Sequence, residues 1–138
     1  MLRWRFLTYV NPGGKPVVQQ EIDRLDEYGK HYLERQVQHL AVSNKEHWDA
    51  PHAKKLKNED PLYEIRFKAN NRETRALGCF IHASASFVIA VICYKKQAVY
   101  TPSDAFRTAH KRIQQIKDGF ATAVPLQIFG ENVPADEE

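Results

Sequence analysis

A chain of 138 residues, 43% of them hydrophobic, is the size of one domain and can bury a real core; aromatic and β-branched residues occur throughout, so disorder is not the default reading. The net charge of +3 hides an uneven spread: residues 1–50 carry seven charges of each sign, residues 51–117 carry thirteen Lys/Arg against five Asp/Glu, and residues 118–138 carry five acids and no base. The basic surplus is where a polyanion would bind, an ordinary solvated surface being the plain alternative.

Trp4 to Val10 is rich in aromatic and β-branched residues and predicts a strand, which Asn11-Pro12-Gly13-Gly14 ends in a turn. No Gly-Lys-Ser/Thr follows the glycines, so they are not read as a phosphate loop. Arg3 and Arg5 interrupt the first apolar stretch, and no targeting peptide is expected. Val18, Ile22 and Leu25 then lie on one stripe of a helix, Gly29 reads as a break, and Leu33, Val37 and Leu40 mark a second helix from about Lys30 to Val42. Residues 43–60 are polar and read as a long loop ending on a basic cluster.

From Leu62 to Ala69 the chain alternates, with Tyr63, Ile65 and Phe67 on one side and Glu64, Arg66 and Lys68 on the other. Asn70-Asn71 predicts a turn, Thr74 to His82 the next strand, Ala83 to Ser86 a second turn, and Phe87 to Lys95 a third strand, an antiparallel meander. The apolar run Phe87 to Tyr94 is too short to span a bilayer. Cys79 and Cys93 fall inside strands and read as reduced core residues. Thr101-Pro102 predicts a helix start, with Thr101 as cap and Asp104 near the positive dipole end; Phe106, Ala109, Ile113 and Ile116 line its buried side and Gly119 stops it. The expected fold class is α+β, with an N-terminal strand, a helical hairpin, an antiparallel meander and a C-terminal helix. Residues 1–120 are expected to form one domain and residues 121–138 an acidic, flexible tail.

Three motifs in this order carry a resemblance. Lys54-Lys55-Leu56-Lys57 followed by Leu62-Tyr63-Glu64-Ile65-Arg66 resembles the strand-entry motif of HigB-type toxins, including the phage-derived HigB-like group. Thr74-Arg75-Ala76-Leu77-Gly78-Cys79-Phe80 is similar to that family's next strand. Tyr94-Lys95-Lys96 leading to Thr101-Pro102, and a helix holding Ala109 and Arg112, is similar to its Lys-Lys…Thr-Pro element. Two departures stand out: no Lys precedes Thr101, where Lys95 to Tyr100 looks instead like the RelE version, and Ala76 and Gly78 replace bulkier residues near Arg75. The resemblance implies a toxin of a toxin–antitoxin system with a RelE/ParE-like fold. It implies a cytoplasmic, metal-independent mRNA endonuclease (an mRNA interferase) acting at the ribosome, and a helix-turn-helix, HigA-like antitoxin as partner. A ParE-like gyrase poison and a non-catalytic nucleic-acid-binding or phage accessory protein are the alternatives.

Cutting RNA without a metal requires a base for the 2′-hydroxyl, positive charge on the phosphate and a proton for the leaving 5′-oxygen. Arginine suits the second task because its planar fork pairs two phosphate oxygens. Lysine or tyrosine suits the others where neighbouring cations lower the pKa. Arg66, Arg75, Lys95 and Tyr100 are therefore the expected catalytic residues, and Lys54, Lys55, Lys57, Lys68 and Lys96 the expected RNA contacts. The plain alternative pairs Arg66 with Glu64 or Glu73 and leaves the lysines in solvent. His47, Asp49 and His52 lack the helical spacing of known zinc motifs, and neither metal nor cofactor is expected. His82 and His110 are possible acid–base groups. Tyr94 could stack a base, but its alternation with Ile92 reads as core.

Overall fold

The described residues form ten α-helices and strands, several of them where the period-two and period-3.6 patterns fall: β1 (Arg5–Val10), α1 (Val17–Asp23), α2 (Glu27–Ala41), β2 (Ala53–Lys55), β3 (Tyr63–Ala69), β4 (Arg72–Ile81), β5 (Ser86–Lys96), β6 (Val99–Thr101), α3 (Ala105–Lys117) and β7 (Thr122–Pro125). The structure is a computed structural model, and it describes residues 2–128. The strands form one sheet in the order β2-β3-β4-β5-β1-β7, with β6 also paired to β5. The expected meander is its centre, β3-β4-β5, antiparallel throughout. The N-terminal strand adds to it: β1 runs parallel to β5, and the first two helices make the crossover that a parallel pair requires.

The sheet is buried on both faces. Val18, Ile22, Leu33 and Leu40 of α1 and α2 pack on Ile65, Phe67, Ala76 and Phe87. Ala105, Ala109 and Ile113 of α3 pack on Leu62, Leu77, Val91 and Cys93. Each fully buried Leu, Ile or Phe contributes about 1.5–3 kcal/mol relative to exposure, so the two clusters supply the main stabilisation. No helix among the described residues is long and apolar enough to cross a membrane.

Several expected boundaries move, each for a physical reason. Gly29 does not break a helix but lies inside α2, where an added Cβ would stand 2.3 Å from the Ala69 side chain; glycine lets the helix touch the end of β3. The break falls at residues 24–26, because Asp26 caps α2 by accepting from Gly29 N at 2.9 Å. Asp26 and Asn70 also exchange hydrogen bonds of 2.9 and 3.1 Å, latching α2 to the β3–β4 turn. The loop at residues 43–60 contains a 3-10 turn at Lys45–His47, a buried Trp48 and the short edge strand β2. Thr101-Pro102 does not open a helix: Thr101 ends β6, and α3 starts at Ala105 with Asp104 as a cap whose side chain makes no capping bond. Thr122–Pro125, expected in the tail, pairs with β1 as an edge strand; residues 129–138 of that tail lie outside the described residues. Gly78 sits where the β4–β5 register shifts, and a Cβ there would meet the Val88 carbonyl oxygen, so the small residue beside Arg75 is a requirement of the bulge.

Candidate functional site

Strand alternation puts Glu64, Arg66 and Arg75 on the α3 face of the sheet. Arg66 and Arg75 are direct partners in the β3–β4 register, and like charges directly opposed destabilise a sheet unless a counter-charge lies between them. Glu64 supplies it. Its Oε2 is 3.0 Å from Arg66 Nε and 3.6 Å from Arg75 Nε, and its Oε1 accepts a 2.5 Å hydrogen bond from the Tyr100 hydroxyl. The carboxylate is 1% exposed, so only this set of donors offsets its loss of water.

Arg75 is nearly as buried, at 8%. Its Nη1 donates to the Thr74 carbonyl at 2.9 Å and to Glu73 at 3.4 Å, while Nε is buried in Coulomb contact with Glu64 but makes no hydrogen bond. Tyr100 reaches the cluster from β6, its ring packed on Phe106 at 4.6 Å and the Lys95 ammonium 5.1 Å from its centre. Burial, and then the hydrogen bond to Glu64, push the Tyr100 hydroxyl far above the ordinary phenol range. That reverses the expected lowering by neighbouring cations, since burial and the Glu64 carboxylate together outweigh the pull of Arg75.

The expected catalytic residues Arg66, Arg75 and Tyr100 thus meet on Glu64, and Lys95 touches Tyr100. The plain alternative is present in the same geometry: Arg66 pairs with Glu64, and Arg75, not Arg66, pairs with Glu73. The expected RNA contacts do not converge. Lys68 lines a groove with Arg66 and Arg75, whereas Lys96 lines a separate one with Arg72 and Tyr94. Lys54 faces the cluster side as register partner of Glu64; Lys55, one residue on, points the other way and pairs with Asp60 at 3.2 Å; Lys57 is exposed in the following loop. Tyr94 is not core: it is half-buried at the rim, with the Arg72 guanidinium 4.4 Å from its ring centre.

Two residues in this region were not singled out from the sequence. Glu64 was read only as a surface partner, although two opposed arginines already call for a buried anion. Gln36 occupies the apolar stripe of α2 between Leu33 and Leu40, and a polar residue in that position signals a buried hydrogen bond. Its Nε2 donates to the Arg66 carbonyl at 2.6 Å and its Oε1 is 2.8 Å from His52 Nδ1, while Arg66 N donates to the His52 carbonyl at 2.9 Å. The His52 pKa is lowered by partial burial and by His39, whose ring centre is 3.9 Å away. His110 pairs with Glu59 at 2.9 Å, and His82 lies 3.3 Å from Lys45, so neither joins the cluster. Among the described residues no group of three His, Cys, Asp or Glu side chains is arranged to hold a metal ion.

A mixed sheet with a helical crossover on one face, one helix on the other and a basic cluster at the β3–β4 centre is consistent with the RelE-like fold. Residues 20–114 match the family described as phage-derived protein Gp49-like (DUF891), and the chain belongs to that family. No curated protein and no solved structure matches it.

Proposed function

We propose that this chain is a HigB/RelE-type toxin that cleaves mRNA at the ribosome through the Glu64–Arg66–Arg75–Tyr100 cluster. The observation that carries the reading is the pairing of a tyrosine hydroxyl with a buried carboxylate that itself lies between two guanidinium groups. Membership of a Gp49-like family, which is associated with RelE/HigB-type toxins, supports it.

Chemically, Glu64 accepts the 2′-hydroxyl proton and the 2′-oxygen attacks the adjacent phosphorus. Arg66 and Arg75 balance the charge that grows on the phosphoryl oxygens. The bond to the 5′-oxygen breaks, giving a 2′,3′-cyclic phosphate, and Tyr100 protonates the leaving oxygen. An alkoxide is a stronger base than a phenolate, so that transfer remains downhill even with the Tyr100 pKa raised. Tyr100 recovers its proton from Glu64 along the bond they already share, and the cycle closes.

In this scheme a helix-turn-helix antitoxin holds the chain inactive, and an adjacent gene of that type would support the pairing. Expression of the chain alone in bacteria tests the activity: the expected result is growth arrest with discrete new mRNA ends by primer extension. Arrest with intact mRNA and broken DNA would replace the reading with a gyrase poison.

A further inference from the structure

We propose that Tyr28 and Tyr32 form a stacking platform for the bases of single-stranded RNA beside the phosphate cluster. This rests on the nuclease reading and adds to it a determinant of substrate form. The two tyrosines stand one turn apart at the start of α2, with ring centres 6.0 Å apart and planes at 79°, and the Arg35 guanidinium lies 5.6 Å from the Tyr32 ring. Tyr28 is 57% exposed, an unusual position for a large ring whose apolar faces gain from leaving water. Both rings line an open groove of about 380 Å³ together with Arg66, Lys68 and Arg75.

Chemistry selects the occupant. The groove carries Arg66, Lys68 and Arg75 against Glu73 in its wall and Glu64 behind the two arginines, a balance that stays positive, so it suits a polyanion and not an apolar peptide. A cationic floor with aromatic walls is the recurring arrangement for single strands: the backbone follows the charge, and each base offers a π face whatever its sequence. Bases in a duplex are already stacked on one another and have no free face. The platform is also held in place. The Asp26–Asn70 latch and the contact of Gly29 with Ala69 fix the first turn of α2 against the strand that carries Arg66.

The test uses a labelled 2′-O-methyl oligonucleotide, which lacks the attacking hydroxyl and reports binding without cleavage. Tyr28→Leu should weaken its binding about tenfold, and Tyr28→Phe, which keeps the π face, should restore it. The same sequence as a duplex should bind more weakly and be indifferent to Tyr28→Leu. Because Tyr28 is exposed, its replacement leaves the core intact; Arg35→Gln offers a second, independent perturbation of the platform. Single-strand affinity unchanged in Tyr28→Leu, or a duplex bound as tightly as the single strand, would overturn the proposal. Tyrosine-dependent binding without cleavage of ordinary RNA would sink the nuclease reading and keep the platform, whereas normal cleavage by Tyr28→Leu at an unchanged KM would sink the platform alone.

Discussion

Tyr100 and Glu64 share one hydrogen bond on which the proposed chemistry turns, and single-residue changes separate their roles. Tyr100→Phe keeps the ring on Phe106 and loses only the hydroxyl, so it should lower cleavage by about a hundredfold at a stability cost of about 2 kcal/mol or less. Glu64→Ala leaves Arg66 and Arg75 facing each other without a counter-charge, and urea unfolding should show a loss of about 3–5 kcal/mol. Arg75 is therefore structural as well as part of the proposed site, and the exposed edge of Arg66 is the cleaner probe of the proposed catalysis. The raised pKa of Tyr100 also fixes the sign of an alkaline effect. Its neutral form is favoured in the folded state, so the stability it contributes is complete below the ordinary phenol value near 10 and is lost as pH rises through the higher folded value. Stability that rises between pH 8 and 10, with Tyr100→Phe removing the rise, would show that the folded-state hydroxyl ionises early and contradict this environment. For His52 the sign is opposite: its lowered pKa favours the neutral ring, so the stability it gives is complete above the ordinary histidine value and falls as pH drops toward the folded value.

At the scale of elements, α2 decides where Arg66 stands. Its first turn is capped by Asp26, and its middle holds the backbone of Arg66 through Gln36. Gly29→Ala replaces a poor helix former with the best one, worth about 1 kcal/mol in an isolated helix. Here the added Cβ would lie 2.9 Å from the Ala69 backbone as well as 2.3 Å from its side chain, so the helix must lift from the sheet. A net loss of about 1–3 kcal/mol is expected in denaturant titration, and a gain would mean that the close approach is not required. The same contact shows what the sequence can and cannot reveal. The stripe of Leu33, Val37 and Leu40 and the alternation from Tyr63 to Phe67 are local signals, and they identify the helix and strand correctly. Gly29 reads locally as a break because its reason for being glycine is Ala69, forty residues away in the chain. Thr101-Pro102 carries the local chemistry of a helix start, yet pairing of Tyr94 with Thr101 claims that residue for β6. Arg66 and Arg75 were legible as a pair from alternation, but their convergence on Glu64 and Tyr100 depends on register and on β6, which no local pattern announces.

Across the whole molecule, the sheet separates two kinds of surface. Its α3 face carries the buried cluster, and the open side of Arg66 and Arg75 leads into the groove with Tyr28, Tyr32 and Lys68. The buried thiols are kept out of the chemistry: burial pushes Cys93 up to about 12 and raises Cys79 as well, so both should resist alkylation until the protein unfolds. In the proposed reaction the cluster supplies its own positive charge to the phosphate, so protein treated with EDTA and then dialysed should keep full activity. Loss of activity on that treatment, with recovery on adding zinc or manganese, would require a metal site at other residues. The central claim is that Glu64, Arg66, Arg75 and Tyr100 cut RNA by internal attack of the 2′-oxygen. Mapping the ends of an mRNA incubated with the protein in a bacterial translation extract, beside Tyr100→Phe, tests it most directly. The account predicts discrete cuts bearing 2′,3′-cyclic phosphate and 5′-hydroxyl ends, reduced about a hundredfold in Tyr100→Phe; intact mRNA, or cuts of equal strength in the folded variant, would contradict it.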